Sequence, residues 1–177
     1  MSDTYSLCES KAYFGCLDGR MRSPLFGHEI EFLVKGGDET YGVRCAEYFE
    51  KITAENLEEY PVLNALFEAL GEYVIDFLDE RGDEFELGDF EYDENSPVTE
   101  LLKALTPVGL TFEKFGYLSD EECPIAFSIK FSFDPVADEY MEIALHGDAA
   151  VYAGEFRGVS PWNDKLLKKK WNYARNI

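Results

Sequence analysis

Residues Pro61–Glu80, PVLNALFEALGEYVIDFLDE, constrain this chain more than any other stretch. Leu63, Leu66, Phe67, Leu70, Val74, Phe77 and Leu78 recur at i, i+3, i+4 and i+7, the spacing of one apolar stripe on a helix. The segment is expected to form about five turns at ~3.6 residues per turn. Pro61 suits its first position and Gly82 marks its expected end. Gly71 interrupts the pattern, at about 1 kcal/mol against Ala. Glu68, Glu72, Asp76 and Asp79 fall on the opposite face, within roughly 80° at ~100° per residue. Like charges four residues apart repel by about 0.2–0.5 kcal/mol per pair. No Lys within the segment relieves them. Two readings of that face stay open: a solvated surface in an acidic chain, or a surface for a cationic partner.

Such a helix needs an apolar surface to cover, and the last third of the chain offers one. Ile125, Phe127, Ile129, Phe131 and Phe133 alternate with Ala126, Ser128, Lys130 and Ser132, the pattern of a half-buried central strand. Leu110–Phe115 is expected as the strand before it. Met141, Ile143 and Leu145 alternate in the next strand, and Ala149–Phe156 forms the last. Asp134-Pro135 and Gly147-Asp148 are turns short enough to favour an antiparallel meander.

Near the N-terminus, Ala12–Leu17 and Met21–Phe26 are expected to pair around an Asp18-Gly19 turn, with Pro24 at an edge or bulge. His28–Val34 reads as a third strand. Tyr41, Cys45, Tyr48, Phe49 and Ile52 share a helical face, and Thr53 is expected to cap a following turn that carries Leu57. Asp83–Asn95 is an acidic loop, or holds a short strand at Phe85–Leu87. Ser96-Pro97 opens a short helix buried through Leu101, Leu102 and Leu105 and ended by Pro107. Ser160-Pro161 opens a C-terminal helix, Trp162–Ala174. The expected fold is one α+β domain over the 177 residues. Its mainly antiparallel sheet, of N-terminal hairpin strands plus the C-terminal meander, packs against two or three helices. Phe127, Ile129, Phe131, Leu66, Leu70 and Phe77 should lie in the core.

The chain carries 36 acidic and 16 basic residues, a formal net charge of −20. That field repels nucleic-acid phosphates and anionic membrane surfaces and attracts basic proteins. The segment 160–177 is the exception, holding Lys165, Lys168, Lys169, Lys170 and Arg175 against Asp164 alone. It is expected to dock on the acidic body, burying Trp162, Leu166 and Trp171. Cys8, Cys16, Cys45 and Cys123 are widely spaced, which fits reduced thiols in a cytosolic protein. The opening MSDTYSLCESK has neither the basic nor the apolar region of a secretory signal. No apolar run approaches the ~18 residues of a membrane span.

Motifs that carry chemistry are sparse. His28 and His146 are the only histidines, and no Cys/His cluster has zinc-binding spacing. Asp89, Glu91, Asp93 and Glu100 match EF-hand positions 1, 3, 5 and 12, but Glu94 stands where Gly is required and Pro97 at position 9. Gly36-Gly37 matches no phosphate loop, and no G-x-S-x-G elbow occurs. Cys45 or Cys123 with His146 is the one thiol–imidazole combination to weigh against buried thiols. No catalytic residue, metal or cofactor is expected.

The segments Tyr13-Phe14-Gly15, Pro61–Glu80, Ile125–Asp134, Tyr140–Leu145 and Val151–Gly154 form an order of strands, acidic helix and Phe/Ile-rich meander. In this layout, size and charge the chain resembles the cytosolic immunity proteins of bacterial toxin–immunity systems, contact-dependent growth inhibition among them. Many such domains place a His-containing turn after the central strand, whereas Phe133–Glu139 here has none. The resemblance implies a cytoplasmic, non-enzymatic protein that neutralises a cognate toxin, with a nuclease favoured. It carries over no catalytic residues and sets no oligomeric state. The expected partner is a toxin domain with a basic surface, with no direct nucleic-acid or membrane binding. The candidate contact residues are Glu68, Glu72, Asp76, Asp79, Asp83, Glu84, Asp89, Phe90, Glu91 and Tyr92. A nucleic-acid-mimic regulator of another DNA- or RNA-binding protein, and a small enzyme of unrecognised mechanism, stand as alternatives.

Overall fold

The alternating segments pair into one sheet. The computed structural model describes residues 5–54, 57–116, 118–119 and 121–177, with the backbone alone at 54 and 58. The first four residues of the N-terminal stretch discussed above lie outside the described residues. Seven strands run in chain order across the sheet. They are β1 (Tyr5–Glu9), β2 (Cys16–Arg22), β3 (Glu29–Lys35), β4 (Leu105–Glu113), β5 (Ala126–Phe133), β6 (Tyr140–His146) and β7 (Ala149–Glu155). Every neighbouring pair is antiparallel except β3 with β4. A parallel neighbour cannot be reached by a tight turn and needs a crossover. That crossover holds the three α-helices found among the described residues: α1 (Glu39–Ala54), α2 (Pro61–Arg81) and α3 (Val98–Lys103).

The helices cover one face of the sheet. Ile30, Phe32, Val34, Phe112, Phe127, Ile129, Phe131, Phe133 and Met141 meet Tyr41, Phe49, Leu66, Phe67, Leu70 and Phe77 in one buried cluster. Edge-on aromatic pairs tie the layers: Phe49 with Phe112 and Phe127 at 6.1 and 5.4 Å, and Phe77 with Phe133 at 6.2 Å. α1 contacts β1 and β2, whereas α2 contacts β6 and β7. α2 thus covers the β6–β7 side, while α1 runs from β1 and β2 across to Phe127 of β5, with Tyr48 Oη donating to Gly147 O at 3.4 Å. The expected core residues Leu66, Leu70, Phe77, Phe127, Ile129 and Phe131 are all buried.

Several local expectations are corrected. Asp18-Gly19 lies inside β2 rather than at a turn, because Gly19 sits opposite Phe32. A Cβ on Gly19 would lie 2.2 Å from Cζ of Phe32, so glycine leaves the space that this buried ring fills. The hairpin is instead β1–β2, closed by residues 10–15, and Ser23–His28 closes the next turn. Thr53 is no cap; its hydroxyl donates to Phe49 O at 2.7 Å within α1. The turn carrying Leu57 is a 3-10 turn, Leu57–Glu59. α3 ends at Lys103, and Leu105 and Pro107 belong to β4. Pro107 is tolerated there because the register shifts beside it, between Pro107 and Gly109. Phe85–Leu87 is no strand.

The C-terminal segment is not an α-helix. It forms two 3-10 turns, Asp164–Lys168 and Tyr173–Asn176, and wraps around β7. Trp162 Nε1 donates to Glu113 O at 2.7 Å, and Leu166 joins Ala144, Val151 and Tyr152 on the face opposite the helices. Beyond the edge, Tyr173 packs against Tyr73 of α2 at 5.5 Å. A straight helix over these residues could not reach both faces of the sheet. Leu166 is buried, as expected, but Trp162 is only half-buried and Trp171 is 39% exposed, its ring held by Arg157 at 4.6 Å.

One carboxylate fastens this wrap. Glu142 of β6 is 2% exposed, and its Oε2 accepts from the N–H groups of Arg157 and Val159 at 3.1 and 3.2 Å. Burial raises its pKa, and the bonds to it offset only part of that rise. Between the unfolded and the raised folded pKa, the folded state holds a proton that the unfolded state has lost. Stability from this group therefore falls as pH rises through that window. Glu142→Gln is expected to remove this fall. Urea titrations at about pH 5 and about pH 8 should show wild type losing ground to the variant at the higher pH. A gap that does not change with pH would contradict the raised pKa.

Candidate functional site

The acidic face of α2 follows from the packing of its other side. Leu63, Leu66, Phe67, Leu70, Val74 and Phe77 are buried, so the residues at the remaining helical angles face outward. Glu68, Glu72, Asp76, Asp79 and Glu80 are exposed in succession. Among the described residues no Lys or Arg forms an ion pair with Glu68, Glu72, Asp76 or Asp79. Asn64 Nδ2 donates to Glu68 Oε1 at 2.7 Å. Tyr173 Oη donates to Asp76 Oδ2 at 2.6 Å. Burial first, then the hydrogen bond and charge of Asp76 and the charge of Glu80, push the Tyr173 hydroxyl pKa up. Asp76 is thus committed in part to holding the C-terminal wrap. Glu72, Asp76, Tyr173 and Arg175 line a small open cavity of ≈300 Å³.

The loop after α2 carries further exposed carboxylates. Its aromatic residues are pinned to the core, which turns its carboxylates outward. Phe85 stacks on Phe77 at 5.7 Å, and Arg81 sits over both rings while pairing with Glu84 at 3.2 Å. Phe90 meets Phe133 edge-on at 5.3 Å and stacks with Tyr92 at 6.3 Å. Tyr92 lies on α2 at Gly71, where a Cβ would stand 2.6 Å from its Oη. The glycine that weakens the helix locally is what admits this ring. Asp83, Glu84, Asp89 and Glu91 are exposed, while Phe90 and Tyr92 are half-buried. The acidic candidates are therefore all exposed, on α2 and on the loop after it, while the two aromatic candidates have a packing role.

Of the remaining chemistry-bearing side chains, Tyr41, Cys45 and Cys123 lie close together in the core. Cys45 and Cys123 are fully buried, and burial, the largest cause, raises the Cys45 thiol pKa, the opposite of what a thiolate nucleophile needs. His146 Nδ1 lies 2.9 Å from Pro161 O and its ring tilts against Trp162 at 4.9 Å, so it anchors the wrap. Asp89, Glu91, Glu100, Lys103 and Asp134 line a shallow cavity of ≈260 Å³, with Lys103 paired to Glu100 at 2.7 Å. Among the described residues, no three His, Cys, Asp or Glu side chains converge as a metal site. No described helix is long and apolar enough to cross a membrane.

Two anchoring residues were not legible in the sequence. Glu142 looks like a solvent-facing residue in an alternating strand, and Asn172 like one polar residue in a basic tail. Both are buried. Set against protein-family models, curated proteins and solved structures, the chain matches none of them.

Proposed function

We propose that this protein is a non-catalytic inhibitor of the immunity type, which neutralises a toxin by occluding its basic substrate groove, with a nuclease the favoured target. The observation that carries the proposal is the exposed row Glu68, Glu72, Asp76 and Asp79, which no Lys or Arg neutralises by an ion pair among the described residues. Its mutual repulsion is a standing local cost that a cationic groove relieves on binding. A nuclease holds phosphates with Lys and Arg, and a row of carboxylates on a rigid helix can occupy the same groups. The loop carboxylates of Asp83, Glu84, Asp89 and Glu91 extend the row.

Glu68→Lys with Glu72→Lys is the suited test, because it reverses charge without touching the Asp76–Tyr173 bond. Co-expression with the product of the adjacent upstream gene reads protection as colony survival. The double variant should fold normally, lose protection and associate at least about tenfold more slowly, with wild-type association slowing as salt rises. Wild-type protection and rates in the double variant would reduce this face to a solvated surface.

A further inference from the structure

The two edges of the sheet are finished differently. At β7 the side chain of Asn172 fills the edge: Nδ2 donates to Val151 O at 2.7 Å, and Oδ1 accepts from Ala153 N–H at 3.2 Å. At β1 no described residue does this. Ser10 N–H donates to Cys16 O at 2.9 Å, so Ser10 and Cys16 are a hydrogen-bonded pair. Such pairs alternate along an antiparallel ladder. With Cys8 opposite Asp18 and Ser6 opposite Arg20, the backbone groups of Ser6 and Cys8 point into β2. Those of Tyr5, Leu7 and Glu9 point away from the sheet, and among the described residues they take no partner.

Space lies on both faces of this edge. A cavity of ≈560 Å³ between the hairpin tip and the start of α1 is lined by Leu7, Phe14, Leu17 and Asp38. An open cleft of ≈800 Å³ on the other face is lined by Ser6, Tyr13, Asp18, Glu31 and Leu33. An added strand sends alternate side chains to the two faces, so both spaces would be used. Acidic groups flank them. Glu9, Asp38 and Glu39 line the first, and Glu9, Asp18 and Glu31 the second, where Lys11 and Arg20 are the basic residues. Arg20 is committed to Glu31 and Glu29 at 2.7 and 3.7 Å.

We propose that β1 is an acceptor edge for an extended segment of a basic protein, which adds to the sheet as an eighth strand. A second copy of this chain is disfavoured as occupant, because each brings a net charge of −20. The surface does not depend on the acidic face of α2, which packs at the other edge over β6 and β7.

The probe is a fluorescent decapeptide of alternating lysine and valine, compared with its glutamate–valine counterpart and with the lysine peptide N-methylated at alternate amides. N-methylation keeps the charge and removes strand pairing. Anisotropy titrations should show binding of the lysine peptide, at least tenfold weaker binding after N-methylation and none of the glutamate peptide. Amide exchange followed by NMR should slow at Leu7 and Glu9. Glu9→Pro removes an outward N–H from an exposed position without breaking a ladder bond, and should weaken binding as far as N-methylation does. If that variant does not fold, the N-methylated peptide decides alone. Equal binding of the N-methylated peptide, protection at α2 instead of β1, no binding of the lysine peptide, or dimerisation of the protein through β1 in light scattering would each overturn the proposal. None of these outcomes bears on whether the α2 double variant loses protection.

Discussion

Phe131→Ala is expected to lose about 3–5 kcal/mol of folding stability. The ring is fully buried on β5, 5.7 Å from Phe26 and 5.9 Å from Phe67, so truncation leaves a cavity beneath α2. Neighbours locked by their own aromatic contacts cannot collapse far into it. For a chain of this length that loss lowers Tm by roughly 6–20 °C. Phe14→Ala is the matched control, since its ring is fully exposed at the β1–β2 tip and should move stability by about 0.5 kcal/mol at most. A urea titration reads both. A loss under about 1 kcal/mol at Phe131 would remove it from the core.

Asn172→Asp should lose about 2–4 kcal/mol, on the basis of ~1–3 kcal/mol for each buried group left unpaired. The amide is fully buried, and its Nδ2 is the donor that satisfies Val151 O. An aspartate cannot donate there when ionised, and it turns a second oxygen toward that carbonyl. Its folded pKa is therefore raised, and the deficit should shrink as pH falls toward that value. Urea titrations across pH measure it, with Asn172→Ala separating lost pairing from added charge. Freeing the edge of β7 also exposes a second strand to pairing, so light scattering should detect association in these variants. A variant as stable as wild type at neutral pH would show that the wrap does not depend on Asn172.

The candidate site was legible in part. The outward positions of Glu68, Glu72, Asp76 and Asp79 followed from a period of 3.6 and a core on the other side. The same period gave no sign that Asp76 would be taken up by Tyr173, a residue 97 positions away. Phe90 and Tyr92 looked like free aromatic residues in an acidic loop, because local sequence cannot show that Gly71 leaves a seat for Tyr92 on α2.

By itself the sequence determined the α+β class, the reach of α2, the meander β5–β7 and the faces that each buries. Those features rest on local periodicity, which the backbone reads within a few residues. Only the tertiary structure decided the β2–β3 register, in which Gly19 serves Phe32, and the parallel pairing of β3 with β4 across the helical crossover. It also decided that the basic C-terminal segment unwinds into two short turns. Helix propensity amounts to tenths of a kcal/mol per residue. The anchors at Glu142, Asn172 and Leu166, on both sides of β7, outweigh it because burial and satisfied hydrogen bonds are worth several times more.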